Sequence, residues 1–225
     1  MMYLWIILWL VFALAVFTAL GWSLNITLAQ NKAWGDFAAK YKLAVAPKLK
    51  MFDPVSISGL LNNRRINIYV SNEPARRTTS VFSHIEIFLN HNPGVVMFAA
   101  KKPLPQAVFQ GTRLAHIFSA PGVEWAVRET QDVYAMSNWM TAARTAALNT
   151  YMNSGGPQDE PIFVSDGHQA FLLWRTVDPL RDPRILNALV QRLFGIAKEL
   201  DAGAAPMENP KASSAPTPAM PVSTT

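Results

Sequence analysis

Met1 to Leu24 carries no charged residue, and the first charge in the chain is Lys32. Twenty-four helical residues at about 1.5 Å each reach about 36 Å, enough to cross a hydrocarbon core of about 30 Å. Trp22 stands near the end of the run, where an indole suits the headgroup level. A cleaved signal peptide is the rival reading, with Thr27-Leu28-Ala29 as a cleavage site. Such a signal has a basic start and an apolar stretch of about 7–15 residues. This run has no Lys or Arg before it and is longer, so the pattern predicts an uncleaved, single-pass signal anchor over 1–24.

Beyond the run the periodicity changes. Trp34, Phe37, Ala38 and Tyr41 recur at helical spacing, which predicts a helix over Asn31–Tyr41. Its apolar face either packs on the domain or lies in the bilayer interface. Val55–Leu60 and Arg65–Ser71 are β-rich runs around Asn62-Asn63, a hairpin signal. Thr78–Leu89 alternates, with Val81, Ser83, Ile85 and Ile87 against Phe82, His84 and Glu86, which predicts a strand with His84 on its more exposed face. Asn92-Pro93-Gly94 breaks it, and Val95–Ala100 is a short apolar run before a loop with Pro103 and Pro105. Ser137 is the expected N-cap of a helix over Trp139–Tyr151, with Trp139, Ala143, Ala147 and Tyr151 facing the sheet.

Two further β-rich runs flank Asp166-Gly167, which predicts a hairpin through a type I′ turn. A last helix starts at Asp182-Pro183, with Ile185, Leu186, Leu189, Val190, Leu193, Ala197 and Leu200 as its apolar stripe. Strands first and helices later predict an α+β class: a transmembrane helix, then one antiparallel-sheet domain with two long amphipathic helices over 31–201. Residues 202–225 hold five prolines in 24 positions and no aromatic residue. That composition predicts a disordered tail.

Composition narrows the chemistry. The 225 residues are 50% hydrophobic and 16% charged, with no cysteine. A thiol nucleophile, a disulfide scaffold and a cysteine zinc site are thereby excluded. Residues 1–113 carry a net charge of +8 and residues 114–225 carry −3. The basic half is the half joined to the anchor, which fits attraction to anionic headgroups. Lys32, Lys40 and Lys42, with Lys48 and Lys50, follow the apolar run. The positive-inside rule then predicts the N-terminus outside and the domain in the cytoplasm. Trp22, Lys32, Trp34, Lys40 and Lys42 are the expected membrane-interface residues. Nucleic acid is not an expected partner: no recognition motif occurs, and Arg64-Arg65 and Arg76-Arg77 read as turn residues.

Candidate catalytic chemistry is sparse. No two of His84, His91, His116 and His168 share a face at metal-ligand spacing, so no metal and no cofactor is expected. No Gly-x-Ser-x-Gly elbow, dinucleotide fingerprint or phosphate loop occurs. Asp166 and His168, with His116, are the residues an enzyme would use, as a base with its orienting acid. The turn reading of Asp166 is simpler. Asp178, Arg181, Asp182 and Arg184 cluster at a helix start, where charges satisfy one another and the cap.

Together, the N-terminal anchor, Trp34-x-x-Phe37-Ala38-x-x-Tyr41-x-Leu43, Ser58-Gly59, Arg65-Ile66-Asn67-Ile68, the Asp166-Gly167 hairpin and the terminal helix ending Ala197-Lys198-Glu199-Leu200 resemble uncharacterised bacterial single-pass membrane proteins with a cytoplasmic domain of unknown function. That resemblance implies a membrane-tethered α+β domain and carries over no catalytic residue. The expected function is a non-enzymatic interaction domain, an accessory or assembly subunit of a membrane protein complex. Its expected partners are the lipid bilayer and a membrane protein or a second copy, the latter through small residues such as Ala15 and Ala19. A hydrolase with a dispersed site and a small-ligand or lipid-binding domain are the alternatives.

Overall fold

In a computed structural model of the chain, residues 2–47, 55–74, 79–101, 116–120, 123–128 and 130–202 are described. Lys48, Lys50, Arg76, Arg77, the loop with Pro103 and Pro105, and residues 203–225 of the expected tail lie outside them. The two helical stretches expected at 1–24 and 31–41 are one helix, α1 (Met2–Tyr41), 40 residues long. Asn25 to Gln30 contain no proline to break it. The helix ends at Lys42, whose φ of 54° is left-handed. Leu43 N–H donates to the Ala38 carbonyl (2.9 Å) and Lys42 N–H to that of Ala39 (3.3 Å), the Schellman pattern that satisfies last-turn acceptors.

The strands are β1 (Ala44–Val45), β2 (Ile57–Leu61), β3 (Arg64–Pro74), β4 (Thr79–Phe88), β5 (Val96–Lys101), β6 (His116–Ala120), β7 (Val123–Val127), β8 (Asp159–Asp166) and β9 (Ala170–Thr176). They form one sheet in the order β1-β2-β3-β4-β9-β8-β5-β7-β6, and its pairings are antiparallel. Asn62 and Asn63 both take positive φ (51° and 60°), the type I′ geometry that matches strand twist. The Asp166-Gly167 hairpin forms with a different turn. Gly167 alone has positive φ (90°), so the central pair is Gly167-His168, and glycine at the first central position fits type II′. Asp166 sits one place earlier, its Oδ1 accepting from the His168 and Gln169 N–H groups at 2.8 Å each.

One sheet face carries Ile57, Ile66, Ile68, Ile85, Ile87, Met97, Phe163, Leu172 and Trp174, all buried against helices. The helices are the end of α1, α2 (Thr130–Trp139), α3 (Ala142–Asn153) and α4 (Pro183–Ala202). The opposite face carries a second buried cluster of Val96, Phe98, Ala100, Ile162, Val164 and Leu173. The α+β class and the antiparallel sheet are as expected. The first of the two expected long helices is split, and Ser137 is not its cap. Trp139 ends α2, Thr141 caps α3 by accepting from Arg144 N–H (3.3 Å), and Ala143 is exposed. At α4, Asp182 accepts from Arg184 N–H at 2.8 Å and Pro183 opens the helix, as the sequence predicts. Ile185, assigned to the apolar stripe, is 54% exposed, because the buried face runs through Leu186, Leu189, Val190 and Leu193.

Candidate functional site

The first part of α1 is long and apolar enough to cross a membrane. Its large side chains are exposed all round: Trp5, Trp9, Phe12, Phe17, Leu20 and Trp22 each show more than half of their surface. From Gln30 onward the same helix turns into core. Ala33, Trp34, Phe37 and Ala38 are buried, on the i, i+3, i+4 face the pattern gave. Trp34 is therefore a correction: at 0% exposure it belongs to the domain interior and cannot serve the membrane interface. Lys32, Lys40 and Lys42 are exposed. Lys40 lies 16 residues beyond Leu24, about 24 Å of helix, which exceeds a Debye length of about 8 Å. Of the three, Lys32 stands nearest the end of the apolar run.

The residues an enzyme would use do not converge. Asp166 and His168 are exposed at the β8–β9 turn. Burial pushes the Asp166 carboxyl up, but N–H groups of Gln169 and His168 outweigh this and hold it below the usual carboxylate value. The carboxylate is thus committed to its own turn. His116 opens β6, and its side chain lies outside the described residues. In the ladder, His116 pairs with Val127, Val127 with Met97 and Met97 with Ser165. Three strand spacings of about 4.8 Å separate His116 from the Asp166 neighbourhood, about 14 Å. Among the described residues, no three His, Asp or Glu side chains gather as a metal site.

A polar strip missed by the sequence reading lies on the sheet face away from the helices, across β3, β4, β9 and β8. His84 is not on an exposed face: it is 5% exposed, stacked on the Tyr69 ring (4.8 Å between centroids). Its Nε2 lies 2.6 Å from Ser71 Oγ, and its Nδ1 is buried without a partner. Tyr69 donates to Glu86 Oε1 (2.8 Å), and Asn67 Nδ2 donates to Oε2 (2.7 Å). Burial first, and then the Glu86 charge, push the Tyr69 phenol up. Arg175, opposite His84 in the register, is 5% exposed. It donates to Glu73 Oε2 (2.5 Å) and Glu160 Oε2 (2.8 Å) and lies 3.7 Å from the Phe82 ring centroid.

Ser71 and His84 have the contact distance of a nucleophile and its base, but the electrostatics oppose that role. Burial and then Arg175 bring the His84 imidazole down to about 4, so it is neutral at neutral pH. A catalytic base of this kind has Nδ1–H held by a carboxylate. Here Nδ1 has no such partner, so no carboxylate orients the ring or stabilises its protonated form. The signal in the sequence was Arg175, a charge at the end of the apolar run Phe171-Leu172-Leu173-Trp174.

An open cleft of about 390 Å³ lies between α4 and the ends of β8 and β9, lined by Asp159, Trp174, Asp178, Leu180, Ile185 and Arg192 among others. Its mouth mixes charges with apolar side chains, unlike a closed apolar ligand cavity. No protein-family model, no curated protein and no solved structure matches the chain.

Proposed function

We propose that this chain is a membrane-anchored, non-enzymatic interaction domain that serves as an accessory or assembly subunit of a membrane protein complex. The observation that carries the reading is the single helix α1, exposed and apolar at one end and core at the other. Each large apolar side chain withdrawn from water contributes about 1.5–3 kcal/mol, so more than a dozen of them favour the bilayer by tens of kcal/mol. The lysines that follow the run support a reading with the domain in the cytoplasm and the N-terminus outside, at a bacterial inner membrane. A partner is thereby met at a fixed height and orientation, since no flexible segment separates anchor from domain.

The test is gentle solubilisation from the native host, crosslinking and mass spectrometry of co-purifying proteins. A stoichiometric membrane protein supports the reading. A lone monomer without crosslinks, or release of the full chain by alkaline carbonate, overturns it. A hydrolase is the second reading, drawn from the 2.6 Å Ser71–His84 contact. Ester turnover abolished by Ser71→Ala would favour it.

A further inference from the structure

We propose that the ribbon formed by the end of β3 and the start of β4 is a second membrane contact, with Asn72 and Val81 resting on the headgroup layer of the bilayer that α1 crosses. This inference rests on the anchoring reading and adds a surface to it. Two contacts fix how α1 lies on the sheet. Gln30 Nε2 donates to Ser83 Oγ (3.4 Å), and Leu43 packs so closely on Gly59 that a β-carbon there would come within 2.8 Å of the leucine. Gly59 pairs with Ile66, and Ile66 with Ile87. The helix therefore advances from the level of Ser83 to that of Ile87, in the same sense as β4.

The ribbon runs the other way, back toward the membrane. The β9 ladder on β4 stops at Ser83–Thr176, and the β2 ladder on β3 stops at Ile57–Ile68. β3 and β4 continue beyond both as a two-stranded ribbon, through Asn72–Val81 to Pro74–Thr79. From Ser83 to Thr79 is four residues, about 13 Å of strand. Along α1 the same rise takes about nine residues, from Gln30 to about Gly21 or Trp22. The end of the ribbon thus stands level with the tryptophan that closes the apolar run.

Arg175 ties down one face of this ribbon through Glu73 and Phe82. The side that faces α1 leaves Val81 55% exposed. Headgroups and the upper acyl region supply the cover that the protein itself does not. The rigid helix delivers the ribbon to that depth without any further partner.

The chain has no cysteine, so single introduced thiols report unambiguously. Full-length chain is reconstituted in nanodiscs of phosphatidylcholine and phosphatidylglycerol, spin-labelled at Val81→Cys, at Asn72→Cys on the paired strand, at Phe12→Cys in the apolar run, or at His168→Cys at the opposite end of the sheet. Collision with a soluble nickel chelate and with a nickel-chelating lipid is then read by power saturation. The expected result is that the Val81 and Asn72 labels collide with the lipid-borne nickel several-fold more than the His168 label does. If Phe12 is shielded in the hydrocarbon while Val81 and Asn72 match His168, the ribbon contact is overturned and the anchor stands. If the Phe12 label collides with soluble chelate as His168 does, the anchoring reading fails and takes this inference with it.

Discussion

Arg64 and Asp201, 137 positions apart in the sequence, form a buried ion pair that ties the C-terminal turn of α4 to the β2–β3 turn. Asp201 also accepts from the N–H groups of Asn90 and His91, both at 3.0 Å, so one carboxylate gathers three separate segments. His91 Nδ1 lies 3.5 Å from its Oδ1. Removing one member of a buried pair strands the other's charge, at a cost of about 3–5 kcal/mol.

Asp201→Ala is accordingly expected to lose about that much stability, read as a drop in the urea midpoint of the detergent-solubilised chain. The double variant Arg64→Met with Asp201→Leu should recover the part of the loss that comes from stranding Arg64, while the nearby buried Arg144 loses the Asp201 charge in both variants. Equal loss in both variants would mean that the backbone N–H contacts or Arg144, not the ion pair, carry the effect.

Trp34 and Trp22 lie on one helix and should respond in opposite ways. Trp34 is fully enclosed among the residues of the core, so Trp34→Ala is expected to cost about 3–5 kcal/mol of domain stability. Its indole Nε1 has no hydrogen-bond partner, so Trp34→Phe forfeits no bond and should cost clearly less. Trp22 is 65% exposed, and Trp22→Ala should leave domain stability within about 0.5 kcal/mol. Denaturant titrations of the three variants decide this. A Trp22 effect as large as that of Trp34 would show that the domain contacts the upper part of α1.

How much of this was legible beforehand varied with the range of the interaction. Asn62-Asn63 and Asp182-Pro183 act on their own backbone, and both turned out as the sequence predicts. The Trp34 face was legible as a face, but what it packs against depends on strands far along the chain. His84 was misplaced for a related reason. Its alternation with Ile85 and Ile87 implies an outer face, and an outer face implies water only when one side of the sheet is covered. The continuous apolar runs Val96-Met97-Phe98-Ala99-Ala100 and Phe171-Leu172-Leu173-Trp174 were the available sign that both sides are buried. Strands β6 and β7 were missed because five-residue runs between polar segments give too short a period to read. The polar strip was missed because Ser71, Glu73, His84, Glu160 and Arg175 meet only through strand register.

Acid is expected to destabilise the fold through His84. The unfolded chain holds His84 near 6.5, and the fold lowers it to about 4 through burial first and Arg175 second. Between those values the unfolded state binds the proton and the native state does not. Stability therefore rises with pH through this window and is lost as pH falls from about 6.5 toward 4. A shift of this size sets a ceiling of about 3 kcal/mol, reduced by solvent screening at the partly exposed Ser71 edge. Urea midpoints measured from pH 4 to 7 should fall on acidification in the parent chain. They should fall less in His84→Gln, which has no proton to take up. Parallel curves for the two proteins would remove His84 as the source.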